Sequence, residues 1–107
     1  MLSKMKTEAI SVIWIDDCNR LCIQPDATTF EMIYGSAMGV NWNHQNHYLY
    51  SQVMNSWTPI DWFRQILAAV QSEYEYHLYT TEKTEWKNID KSLVNLIKAE
   101  SVCSYPL

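Results

Sequence analysis

Glycine and proline are nearly missing from this chain, which has two of the first and three of the second in 107 residues. The glycines, Gly35 and Gly39, form no phosphate-binding loop, which excludes nucleotide chemistry of that type. Cysteine is also scarce. Cys18, Cys22 and Cys103 are odd in number, which favours a reducing compartment, and none is spaced as in a zinc knuckle. No stretch approaches the roughly 20 apolar residues that cross a bilayer. The start of the chain lacks the apolar core and cleavage site of a signal peptide, so a cytoplasmic protein without membrane contact is expected. Basic residues are few: eight Lys and Arg against twelve Asp and Glu give a net charge of −4 with no basic stripe. Nucleic acid is therefore not an expected partner, and a basic protein is a more natural one. No sequence pattern calls for a cofactor.

Hydrophobic residues make up 48% of the chain and charged residues 19%, as in an ordered globular protein. The length allows one domain, residues 1–107, burying about two-thirds of its unfolded surface. Residues 9–15 are β-branched and apolar on both alternations, as in an interior strand. Asp16, Asp17, Cys18 and Asn19 read as a turn, and residues 20–24 as the returning strand that Pro25 ends. Thr28 and Glu31 have the spacing of a capping box, and Phe30, Ile33, Tyr34, Ala37 and Met38 lie at helical intervals, predicting a helix over residues 29–38 closed by Gly39. Residues 40–42 and 48–50 flank a polar run and read as a hairpin. A second helix has stronger signals: Thr58 as cap, Pro59 in the first position, Asp61 completing the box and Trp57 placed to staple onto Trp62. Its stripe is Phe63, Ile66, Leu67, Val70 and Tyr74. Residues 76–80 make a fifth strand. Ile89, Leu93, Leu96 and Ile97 mark a third helix from near Asn88. The order ββαββαβα points to an α+β fold, a mostly antiparallel sheet of about five strands packed by about three helices, with strand order open.

The pattern of Phe30, Glu31, Ile33, Tyr34, Ala37, Gly39, Val40 and Trp42, with Trp62-Phe63 and then Thr84-Glu85-Trp86, resembles small hypothetical proteins encoded on bacterial mobile gene cassettes of the integron type. The likeness spans residues 10–97. That group has no assigned activity, so the resemblance implies a bacterial accessory protein, compact and frequently oligomeric, and transfers no catalytic residues.

Cys18, Cys22, His44 and His47 offer four zinc ligands in principle, but their spacing suits buried or solvated side chains better, and no metal is expected. Asp16 and Asp17 sit where a magnesium-dependent nuclease would place carboxylates, yet a backbone-bonding turn explains them. His77, flanked by Glu75, Tyr76 and Tyr79, is a candidate general base, though a partly exposed sheet histidine explains it better. Five Trp and seven Tyr are more than one small core hides with every polar ring group satisfied. Trp42, Tyr48, Tyr50, Trp62 and Tyr76 are the expected binding patch or cleft. Three readings compete, in this order. The first is a non-enzymatic interaction module, a homodimer or higher homo-oligomer using an aromatic face or a sheet edge at residues 48–50 or 76–80, with an immunity-type protein that neutralises a basic toxin as one form. The second is a small-molecule binder with an aromatic cleft near Trp42, Tyr50 and Trp62. The third is a small hydrolase or nuclease using Asp16, Asp17 and His77, placed last because no catalytic set converges.

Overall fold

A computed structural model describes residues 6–33 and 39–104. Its axis is the strand β1 (Lys6–Ile15), whose β-branched run is paired along both edges. On one edge it runs antiparallel to β2 (Leu21–Pro25), with Ile13 opposite Ile23 and Trp14 opposite Cys22. The register shifts between Ile10 and Val12, a bulge that sharpens the local twist. Asp16 builds the reversal between the two strands. One of its carboxylate oxygens accepts the amides of Cys18 and Arg20, each at 2.9 Å, while Asn19 takes a left-handed φ of 60°. This is the aspartate turn expected from the sequence.

The strands β3 (Asn41–Asn43) and β4 (Tyr48–Tyr50) form the expected hairpin, and the Asn43 side chain closes its loop by accepting the amides of Gln45 and Asn46. The helix α1 (Pro59–Tyr74) starts as its sequence predicts. Thr58 and Asp61 exchange the two bonds of the capping box, Pro59 occupies the first position, and Trp57 packs on Trp62 with ring centroids 4.9 Å apart. Glu75, at φ 58°, ends the helix and leads straight into β5 (Tyr76–Tyr79).

β5 lies parallel to the N-terminal half of β1, and β6 (Glu85–Lys87) lies parallel to its C-terminal half. The two are one edge strand interrupted at residues 80–84. At the break the buried Thr84 hydroxyl donates to the Ile10 carbonyl at 2.7 Å and accepts the Thr81 amide at 2.8 Å, which keeps the ladder satisfied beside the bulge. The path through the sheet is β3-β4-β2-β1-β5, with β6 also on β1. Three of the five strand pairs are antiparallel, so the fold is α+β with a mostly antiparallel sheet.

Several expectations need correction. The described residues contain two helices rather than three and six strands rather than five, in the order ββββαββα. Thr28 caps no helix. Its hydroxyl donates to the Glu8 carboxylate at 2.6 Å, and the amides of Ala27 and Thr28 donate to the same group, so a buried carboxylate wins the contacts over the exposed Glu31. Residues 31 and 32 lie in a turn and Ile33 has 3-10 geometry, with its amide on the Phe30 carbonyl. The remainder of that expected helix, including Tyr34, Gly35, Ala37 and Met38, lies outside the described residues. Gly39 does take a left-handed φ, +80°. The last helix, α2 (Lys91–Ser104), begins after Asp90, whose carboxylate accepts the Leu93 amide, and not near Asn88, which is at φ 56° and donates to the Ile15 carbonyl. Leu96, expected inside, is 56% exposed, while Ile97 is fully buried. β4 is interior, between β3 and β2, and so offers no free edge.

One core cluster joins Ile13, Ile23 and Leu49 of the sheet to Phe63, Ile66 and Val70 of α1 and Ile97 of α2. Both helices therefore cover the same sheet face. Among the described residues no helix is long and apolar enough to cross a membrane.

Candidate functional site

Strand alternation sends Ile13, Ile23 and Leu49 toward the helices, so their neighbours Val12, Trp14, Cys22, Gln24, Tyr48 and Tyr50 occupy the opposite face. There the Trp14 and Tyr48 rings meet edge to face at 4.7 Å, and Tyr48 and Tyr50 are 5.9 Å apart. The Arg20 guanidinium stands 4.8 Å over the Tyr50 ring and bonds Asp16 at 2.8 Å. All three rings are half-buried. Beneath them Cys22 is wholly buried, and its thiol is pushed up to about 12 by that burial and then by the Asp16 charge. Burial opposes ionisation of Asp16, but the bonds from Arg20 and the Arg20 charge outweigh it and hold the carboxyl below its ordinary range. The result is an aromatic face with one fixed cation whose countercharge sits beside it.

The other three expected site residues lie elsewhere. Trp42 faces the core at 5% exposure, edge-on to Phe30 and nearly parallel to His47, and its Nε1 has no hydrogen-bond partner. Tyr76 meets Phe30 edge to face at 5.6 Å, with the Lys6 ammonium 5.7 Å from its centroid. Trp62 lines a cleft with Trp57 at the start of α1, and that lining includes neither Trp42 nor Tyr50. Only Tyr48 and Tyr50 of the five share a surface. Their partners Trp14 and Arg20 escaped the sequence reading of the site, because that grouping depends on β4, β2 and β1 being neighbours.

The acidic turn and His77 do not converge. Thr7 pairs with His77, and Asp16 follows Thr7 by nine residues, so the two ends stand roughly 30 Å apart at the rise of a strand. His77 is buried, stacks on Tyr79 and has its pKa lowered by that burial. Among the described residues no three His, Cys, Asp or Glu side chains are grouped to hold a metal ion.

A family model for the integron cassette protein Hfx_Cass5 matches residues 8–84. The chain belongs to that family. A solved structure of Hfx_Cass5, from the mobile metagenome of the North West Arm sewage outfall, is 30% identical, and the alignment covers 92% of this chain and 99% of that one, with a TM-score of 0.47. A comparison with curated proteins finds no match. The resemblance read from the aromatic and glycine spacing is thus correct, and the Hfx_Cass5 family is one of unknown function. The family match contains Trp14, Arg20, Tyr48, Tyr50, Trp57 and Trp62, and it ends just before β6.

Proposed function

We propose that the protein is a non-enzymatic interaction module that works through the sheet face opposite α1 and α2, with a second copy of the chain as its first partner. The observation that carries this reading is the half-buried cluster of Trp14, Tyr48 and Tyr50 with Arg20 stacked upon it. Aromatic rings and arginine are the side chains that dominate contact energies, and a two-fold axis would let the same cluster meet itself. Electrostatics supports self-association here. Each chain carries −4 in total, but on this face Arg20 is neutralised by Asp16, so repulsion is not concentrated at the contact. The acidic balance of the remaining surface favours a basic protein as a further partner. A reducing, cytoplasmic setting goes with this reading, since Cys18 is an exposed free thiol.

Sedimentation of the purified chain at micromolar concentration tests the reading. The expected species has twice the 12.6 kDa chain mass, and Tyr50→Glu returns it to a monomer with an unchanged far-ultraviolet spectrum. A wild-type chain sedimenting only as a 12.6 kDa monomer, or a dimer indifferent to Tyr50→Glu, would overturn it.

A further inference from the structure

Where the chain leaves β4 and enters α1, the surface opens into a cleft of about 410 Å³, within the roughly 300–1,000 Å³ range of small-molecule sites. The exposed Trp57 and Val53 supply most of its apolar surface, with the buried Trp62 behind Trp57, and Gln52, Asn55 and Gln65 supply carboxamides. Among the described residues no charged one lines it. Each of these facts narrows the ligand. A phosphate or carboxylate would lose its hydration with no cation in the lining, and an ammonium would lose its own with no anion. An adjoining hollow that shares Trp57 and Gln65 holds Asp61 and Arg64, which stand 3.9 Å from each other. Carboxamides both donate and accept, which is the pairing pattern of a hydroxyl group. The two indoles meet each other at 4.9 Å and 45°, so they cannot clamp a flat base between parallel walls. Trp62, 7% exposed, backs Trp57 from within the core and leaves Trp57 as the one open indole. A single open indole suits a puckered ring whose C–H bonds rest on its negative face.

The contact between the tryptophans has a structural reason, since it staples the helix start. That reason does not account for Trp57 remaining 45% exposed, nor for an uncharged carboxamide lining around it. Gly39 holds the arrangement tight. At its φ of +80° a Cβ would stand 3.0 Å from Gln52 Nε2 and 3.1 Å from Trp62 Cη2, so only glycine lets the backbone lie against both.

We infer that this cleft binds a neutral saccharide, one sugar ring lying on the exposed Trp57 indole while its hydroxyls exchange hydrogen bonds with the carboxamides of Gln52 and Asn55. The site is on the helix side of the sheet and is independent of the proposed self-association. Titration calorimetry of the full chain, with tryptophan emission followed in parallel, tests it against glucose, galactose, N-acetylglucosamine, maltose and cellobiose, with a glucose phosphate and adenine as counter-probes. At least one neutral sugar is expected to bind in the millimolar range or tighter and to shift the emission, with Trp57→Ala weakening it by about tenfold or more. Gln52→Leu touches neither staple residue's backbone nor the capping box. It is expected to weaken the same sugar by a similar factor while leaving the thermal midpoint in place, which separates lost binding from lost folding. Absence of binding by every neutral sugar at about 50 mM would overturn the inference, that concentration corresponding to an affinity weaker than the millimolar scale. Tighter binding of the glucose phosphate or adenine than of any neutral sugar would do the same, as would sugar binding that survives both substitutions.

Discussion

Glu8 shows how one side chain can redirect a segment. It lies near the start of β1, 8% exposed, and gathers the Ala27 amide, the Thr28 amide and the Thr28 hydroxyl. Burial alone would raise its pKa, but these three donors outweigh burial and hold the carboxyl below the ordinary value of 4.5. A depressed folded-state value means that the carboxylate stabilises the fold above the unfolded pKa and that this contribution is lost as pH falls through the folded one. Glu8→Gln keeps one good acceptor oxygen and loses the charge. At neutral pH it is expected to cost about 2–3 kcal/mol, the scale of charge-assisted bonds to a buried group. Urea unfolding at a series of pH values checks the sign: wild-type stability should fall more steeply below pH 4.5 than that of Glu8→Gln, with the remaining slope shared by Asp16 and Asp61, whose carboxyls are also held low. Equal slopes would remove Glu8 from the account.

Elements were legible in the sequence where their signals are local. The cap, proline, acidic partner and staple of α1 all fall within six residues, from Trp57 to Trp62, and no distant group competes for them. The cap expected for the first helix does not form because Thr28 answers to Glu8, twenty positions away, which spacing cannot reveal. β6 was missed for a related reason. Glu85, Trp86 and Lys87 are too few to show alternation, and they become a strand only because β1 leaves an edge open beyond its bulge. Thr84 is the joint between β5 and β6, and its hydroxyl serves two backbone groups at once. Thr84→Val keeps the shape and removes both bonds. The expected loss is about 1–3 kcal/mol, the cost of leaving buried backbone groups unpaired, and hydrogen exchange should quicken at Thr81. A neutral substitution would mean that the break between the strands is held by packing alone.

At the scale of the whole molecule, the candidate surfaces follow from which strands are neighbours. Alternation alone made Tyr48 and Tyr50 companions, and the staple spacing joined Trp57 to Trp62. Bringing Trp14 and Arg20 to the tyrosines needed the order β4-β2-β1, a long-range pairing that local patterns do not encode. The same long-range logic makes the C-terminal segment part of the fold, although the family match ends at residue 84. β6 closes the β1 edge from Val12 to Trp14, Asn88 satisfies the Ile15 carbonyl, Ile97 enters the core and Glu100 bonds Arg64 of α1 at 3.0 Å. Burial of Ile97 contributes about 1.5–3 kcal/mol. With the partly buried Trp86 and Leu93 added, the segment supplies a share comparable to the 5–15 kcal/mol net stability of a typical domain. A chain ending at Thr84 would also present an unpaired β1 edge, the geometry that invites another strand. It is expected to lose the single cooperative thermal transition of the full chain and to sediment as heterogeneous aggregates at micromolar concentration. A truncated chain that melts sharply within a few degrees of the full one would show instead that residues 8–84 fold alone and that β6 and α2 are appended to a finished core.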